Sequence, residues 1–257
     1  MLTDRNSITR RWKIAIMVSL QIPVLEYYGL SSFELAFRNT RVLVDPWVVE
    51  PNWTEITVSD FTDIDAIYVT HGAYDHLGDT ISIAKASGAT VYTEPAVADH
   101  LANDILPEEQ VDRVIWGNTF EVGGMGVRVL ETRHLSYFES DGQHVSGLPL
   151  GFHFEFPETS LYYVGDTALF GDLELFVNVN EPETVLLPVG SAPGDRAPLP
   201  PRDAALVASW FDDVTVVPVH YVPGSDEVDQ FRSELTSRID TNRPSIVELS
   251  VGDEYEL

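Results

Sequence analysis

The 257-residue chain contains no cysteine, which excludes disulfides, thiolate-held zinc and cysteine nucleophiles. Lysine is nearly absent: Lys13 and Lys85 are the only two among 15 basic residues, set against 41 acidic ones. A broad basic face for nucleic acid is therefore disfavoured. No stretch of about 18 consecutive apolar residues occurs, so no membrane-spanning helix is expected. Histidine is also scarce. Seven residues, at positions 71, 76, 100, 134, 144, 153 and 220, hold all the imidazole chemistry the chain can offer.

What is present is acid and apolar residues together. The formal net charge is −26, yet 44% of residues are hydrophobic and 11% aromatic, too many for a disordered acidic chain. The acids are spread along the sequence rather than gathered in a tail. This pattern fits a folded protein with a carboxylate-rich surface in a high-salt cytoplasm, where a Debye length of about 3 Å at 1 M removes much of the self-repulsion. The first sixteen residues differ, with Arg5, Arg10, Arg11 and Lys13 against Asp4 alone. Their apolar stretch is too short for a secretion signal, and no small-residue cleavage site follows it. Residues 1–17 are expected to be a disordered extension, or a start assigned too early with Met17 as the true beginning. A single domain is expected over 18–257, its fold beginning near Val18.

Short apolar runs bounded by turn residues predict strands over 22–28, 32–37, 41–47 and 66–70. A short helix is expected over 78–87, a strand at "ATVYTE" and a helix at "PAVADHLAND", whose proline suits a first turn. Strands are expected at 111–116, 119–122, 126–132, 150–156 and 160–164. The last third alternates strand 184–189, helix 202–210, strand 214–219, helix 226–238 and strand "SIVELS". β-rich hairpins thus pass into β/α units twice, as in two similar halves packed sheet to sheet with helices outside. Residues 133–149 and 190–201 read as long irregular loops, a frequent place for function.

"THGAYDHLGD", residues 70–79, gathers two histidines and two aspartates. His71 follows a predicted strand, with Asp75 and His76 four and five residues on. His134, Asp166 and His220 each end another apolar strand. Charged groups at such ends are costly unless paired, solvated or bound to metal, and this mixture of imidazole and carboxylate suits zinc, manganese or iron. His100, in a predicted helix, reads as a surface residue and His153, inside a strand, as structural.

With these residues in view, the sequence resembles the metallo-β-lactamase-fold hydrolases, and within them the L-ascorbate-6-phosphate lactonase-like branch. "YYGLSSFELAFRNTRVLVDPW" is similar to that branch's opening hairpin. "THGAYDHLGD" matches the His-x-His-x-Asp-His motif at all but one ligand, and "ETRHLS", "YYVGDT" and "VPVHY" follow in order. The resemblance, over about residues 22–222, implies an α/β fold built as a four-layer αβ/βα sandwich with its site at one edge of the paired sheets. It also implies two metals. One would be held by His71, the residue at 73 and His134, the other by Asp75, His76 and His220, with Asp166 bridging.

Two positions depart from that pattern. Ala73 replaces a histidine ligand, and Leu30 stands where the branch has histidine in the opening hairpin. One or two divalent ions are therefore expected, zinc first and manganese or iron as alternatives, with one held tightly at the second position. Tyr74 or His144 are candidates to compensate for Ala73. The expected activity is metal-assisted hydrolysis of an ester, lactone or phosphoester, with Asp75 and Asp166 as the catalytic carboxylates. The substrate would be a small molecule, with Arg196 a candidate to hold its phosphate or carboxylate through a bidentate pair. His144 is a candidate substrate contact or proton shuttle. A nuclease of the same fold is the enzymatic alternative, although no long insertion that could serve as an RNA-binding arm is evident. A non-catalytic relative that binds metal or ligand is the other alternative. A homo-oligomer is compatible with all of them.

Overall fold

Period-two alternation along short β-branched and aromatic runs decides the architecture, because each strand buries one face against a facing sheet and the other beneath helices. The structure, a computed structural model, describes residues 22–49, 55–192, 194, 196–239 and 244–257. The expectations for residues 1–17 and for a start near Val18 lie outside the described residues.

In chain order the elements are β1 (Val24–Gly29), β2 (Ser32–Phe37), β3 (Thr40–Val44), β4 (Ala66–Val69), α1 (Tyr74–Leu77), α2 (Thr80–Ser87), β5 (Thr90–Thr93), α3 (Pro95–Ala102) and β6 (Val111–Arg113). They continue with β7 (Thr119–Val122), β8 (Met125–Glu131), β9 (Ser136–Ser140), β10 (Gln143–Gly147), β11 (Leu150–Glu155), β12 (Ser160–Tyr163) and α4 (Asp172–Asn180). β13 (Thr184–Pro188), α5 (Pro201–Ala208), β14 (Thr215–Val219), α6 (Glu227–Arg238), β15 (Ser245–Ile246) and β16 (Glu254–Glu256) complete the chain.

One seven-stranded sheet has the order β16-β1-β2-β3-β4-β5-β6, and the other β15-β14-β13-β12-β11-β8-β7. Both follow one plan. Antiparallel hairpin strands pass into parallel ones, beginning at the β3–β4 pair in the first sheet and at β12–β13 in the second. Leu35, Val42, Val44 and Tyr68 of the first sheet share a core with Val129, Phe152, Tyr163 and Val217 of the second. The alternate residues Leu43, Ile67, Val69 and Val91 pack with Ile83 of α2 and Val97 and Leu101 of α3. On the far side Val185, Leu187 and Val216 pack with Leu173 of α4, Val207 of α5 and Phe231 of α6. The result is the four-layer αβ/βα sandwich expected from the sequence. Among the described residues no helix is long and apolar enough to cross a membrane.

Residues 133–149 depart from the sequence reading. Instead of an irregular loop, β9 and β10 form a two-stranded hairpin, in which Ser136 and Phe138 are buried while Tyr137 and Glu139 are exposed. Its strands are short and largely polar, so apolar periodicity gave little signal. The strand expected over "SIVELS" is confined to Ser245–Ile246, and α1 and α4 had not been expected.

Candidate metal centre

Four parallel-strand ends supply the site. Asp45 follows β3, Thr70 and His71 follow β4, Asp166 follows β12, and His220 follows β14. Carboxyl ends of parallel strands are the usual binding edge of α/β sheets, because the chain there leaves the core and its side chains are released from packing. α1 begins three residues after His71 and carries Asp75 and His76 back to the same edge. The loop after β8 brings His134.

All six sequence-predicted ligand residues meet there. The His76 Nε2 atom lies 3.5 Å from Asp166 Oδ2 and 3.6 Å from Asp75 Oδ2. His220 Nε2 lies 2.9 Å from Asp166 Oδ2 and 3.7 Å from Asp75 Oδ2, and His134 Nε2 lies 3.8 Å from Asp166 Oδ2. The His71 ring centroid is 4.1 Å from that of His76 and 5.1 Å from that of His134. Five of the six are buried; the His134 side chain, 32% exposed, marks the open side.

Asp45 holds the arrangement in place, and the sequence reading gave it no role. Its Oδ2 accepts hydrogen bonds from His76 Nδ1, the Thr70 hydroxyl and the Tyr163 hydroxyl, each at 2.7 Å, and its Oδ1 accepts from the Thr70 amide. His76 Nδ1 therefore carries the proton, and Nε2 faces the other ligand-type residues. Thr70 Oγ, already donating to Asp45, accepts from His71 Nδ1 at 3.0 Å, which turns the Nε2 lone pair of that ring outward as well. Carboxylates behind histidines fix metal-ligand tautomers in this way. Its one local mark in the sequence is an aspartate closing an apolar strand immediately before proline, which reads as a turn.

Within this cluster, three buried atoms have no hydrogen-bond partner among the described residues: His71 Nε2, His76 Nε2 and Asp166 Oδ1. An unpaired buried polar atom costs about 1–3 kcal/mol. Ligand atoms of His71, His76 and Asp166 all lie within 4.8 Å of one another, and so do those of Asp75, His76 and His220. A cation fits the lone pairs that hydrogen bonding leaves unused.

The electrostatics point the same way. Burial, with His76 beside it, holds His71 well below the ordinary histidine value, and burial also lowers His134. Burial would lower His76 too, but Asp45, Asp166 and Asp75 outweigh it and raise it well above the ordinary value. For His220, Asp166 likewise overcomes burial and the value is pushed up to about 9. Burial would raise Asp166 and Asp75, yet the neighbouring imidazoles hold both below the usual carboxylate range. Without a cation, protons on His76 and His220 balance the carboxylates. Because the folded value of His220 exceeds its unfolded one, its contribution to stability is present below about pH 6.5. It is lost as pH rises through 9. Chelator-treated protein should therefore show a falling denaturation midpoint over that window, and protein supplied with a divalent cation should not.

Two backbone features shape the loops. Gly165 has φ +69°, and a Cβ there would come 2.6 Å from the Leu150 carbonyl oxygen. Gly165→Ala is expected to cost at least about 1–3 kcal/mol in urea unfolding and to displace Asp166. Gly72 admits the Phe138 ring where a Cβ would overlap it, and its amide donates to Ser136 Oγ at 3.0 Å, pinning the hairpin over the loop after His71.

The remaining candidates lie elsewhere. His144 is exposed on β10 and stacks on Tyr137, with ring centroids 4.9 Å apart. Arg196 is exposed in the irregular segment before α5, and neither residue belongs to the converging groups. Asp79, the last residue of the motif, serves structure by accepting from the Val48 and Val49 amides at 2.8 Å. Tyr74 is exposed, and its ring packs edge-on against Trp47. Leu30 is buried at φ +51°, and its carbonyl accepts from the His220 amide and the Tyr27 hydroxyl, both at 2.9 Å. The position thus contributes backbone to the site even without an imidazole. His100, only partly buried in α3, is bonded through Nδ1 to Ser140 Oγ at 2.8 Å, and His153 is buried within β11.

Residues 40–221 match the family model described as a beta-lactamase superfamily domain. A UPF0173 metal-dependent hydrolase of Caldivirga maquilingensis is 35% identical over 199 residues, covering 77% of this chain and 81% of the relative. Another from Methanopyrus kandleri is 31% identical over 237 residues, covering 90% and 99%. Among solved structures, Igni18, described as a novel metallo hydrolase from Ignicoccus hospitalis, superimposes with a TM-score of 0.74 at 22% identity, covering 91% of this chain and 99% of that one. With 71 to 220 bracketing both the six clustered side chains and most of the matched segment, the chain belongs to the β-lactamase superfamily and, within it, to the UPF0173 metal-dependent hydrolase family.

Proposed function

We propose that the protein is a metal-dependent hydrolase with a mononuclear centre, acting on an ester, lactone or phosphoester. The observation that carries this reading is that His76 belongs to both triads of converging ligand atoms. Its Nδ1 is held by Asp45, so Nε2 is the one lone pair it can offer, and one lone pair binds one ion. Both triads draw on that lone pair, which favours one cation over two. Ala73 is consistent with this, since its methyl group supplies no donor to a separate first position. Zinc is the ion proposed, with manganese or iron as alternatives that imidazole–carboxylate sets also accept.

A divalent cation in this donor set supplies Lewis acidity, lowering the pKa of a water to about 7 and polarising the substrate's carbonyl or phosphoryl oxygen. Asp75, held as an anion by the imidazoles around it, is placed to accept the proton of the attacking water. Asp166 spans His76, His134 and His220 and keeps their Nε2 atoms converged. Asp45 prevents the His76 ring from turning. The side near His134 is left open to substrate.

Elemental analysis of protein purified in molar salt tests the stoichiometry, with one metal equivalent per chain expected. Ala73→His is expected to raise this towards two and to increase hydrolysis. Near-zero metal in the wild type, together with no hydrolysis of lactone or phosphodiester substrates, would instead establish the non-catalytic relative.

A further inference from the structure

We infer that this centre takes an uncharged carboxylic ester or lactone carrying an apolar alkyl or aryl group, and that exposed apolar side chains around the cluster bind that group. The inference rests on the hydrolytic reading above and narrows it.

Ten large hydrophobic side chains are exposed among the described residues, and half lie within three residues of a clustered ligand-type residue. Tyr74 adjoins Asp75, Leu135 adjoins His134, Leu169 is three residues beyond Asp166, and Val222 is two beyond His220. The fifth, Tyr137, is occupied by the His144 ring, and the Tyr74 ring packs edge-on against Trp47. Successive Cα atoms are about 3.8 Å apart, so each lies within roughly 11 Å of the corresponding ligand-type residue's Cα. Scattered exposed apolar residues are ordinary, whereas a concentration beside a buried polar cluster with one open side marks a ligand surface. It is the more telling on a chain with a net charge of −26.

Charge argues in the same direction. In residues 68–79, 131–137, 163–169 and 217–223 the only basic side chain is Arg133. Its guanidinium is taken up by Glu131 at 3.1 Å and Asp172 at 3.4 Å and lies over the Phe170 ring at 4.5 Å. These four segments leave no arginine or lysine free for a phosphate, while the cluster itself holds two carboxylates. In the reaction, the oxygen of water bonds the acyl carbon and the bond from that carbon to the alkoxy oxygen breaks. One proton of the water passes to the departing alkoxide and the other leaves the new carboxylic acid, giving carboxylate, alcohol and a proton.

The test uses the full, metal-loaded chain in molar salt with p-nitrophenyl esters from acetate to octanoate and with bis(p-nitrophenyl) phosphate. We expect kcat/KM to rise about two- to fourfold per added methylene over the first several, and the phosphodiester to be cleaved at least about a hundredfold more slowly. Leu135→Asp and Leu169→Asp should flatten that rise. Calorimetric titration with acetohydroxamate and octanohydroxamate reads the same surface without turnover, the longer tail binding at least about tenfold tighter. Hydrolysis without chain-length preference, together with equal hydroxamate affinities, overturns the inference and leaves the hydrolase reading intact. Length-dependent hydroxamate binding with neither ester nor phosphodiester cleaved supports the apolar surface and counts against the hydrolase reading. A dimer that Leu135→Asp converts to monomer while the chain-length slope stays unchanged would assign this surface to a second copy and overturn the inference.

Discussion

Asp166→Ala is expected to reduce metal retention at least about a hundredfold and turnover by about a thousandfold or more. The carboxylate is buried and touches three of the imidazoles, so its loss removes a donor and also leaves His76 and His220 facing one another with less opposing charge. The His220 value, pushed up to about 9 chiefly by Asp166 acting against burial, should fall towards that of an ordinary buried histidine. Metal per chain after dialysis, kcat/KM on a responsive ester and the titration of His220 by NMR check the three effects. A variant that kept its metal and its turnover would remove Asp166 from the centre.

Asp45→Ala should be the most destabilising single change near the site. Four donors converge on that carboxylate: the Thr70 amide and hydroxyl, the Tyr163 hydroxyl and His76 Nδ1. Truncation leaves them buried without an acceptor, a loss of about 3–5 kcal/mol by urea unfolding. It also frees the His76 ring, which should lower metal affinity about 10- to 100-fold. Asp45→Asn keeps the volume and one acceptor, and asparagine tolerates the φ of +43° at this position, so it separates the two effects by losing affinity with a smaller loss of stability. Tyr163→Phe removes one donor and should cost about 1 kcal/mol. If Asp45→Ala cost no more than Tyr163→Phe, the hub role assigned to Asp45 would be wrong.

Much of this was legible in the sequence because the strands are short, apolar and punctuated, and because scarce histidines recur at their ends. The αβ/βα layering followed from strands that bury both faces, and the convergence of His71, Asp75, His76, His134, Asp166 and His220 followed from shared position at strand termini. Other features carried no periodic signal. α1 has only four residues, fewer than two helical turns, so no amphipathic pattern could reveal it. The β9–β10 hairpin is polar on its exposed face and hid among loop-like residues. Asp45 looked like part of a turn, since nothing local in "LVDPW" announces donors from Thr70, 25 positions away, or Tyr163, 118 away. The overlap of both triads on His76 is a property of distances alone, invisible in any spacing.

The clustered residues come from both sheets. His71, Asp75 and His76 follow a strand of the first, whereas His134, Asp166 and His220 follow strands of the second. An ion held by both sets, as proposed, would work as a clasp across the sandwich, adding to the permanent stitches from Tyr163 to Asp45 and from His220 to the Leu30 carbonyl. Neither sheet could then peel away while the clasp is shut. The loaded protein should then open only as a whole, with slow amide exchange and protease resistance in both halves set by how long the cation stays.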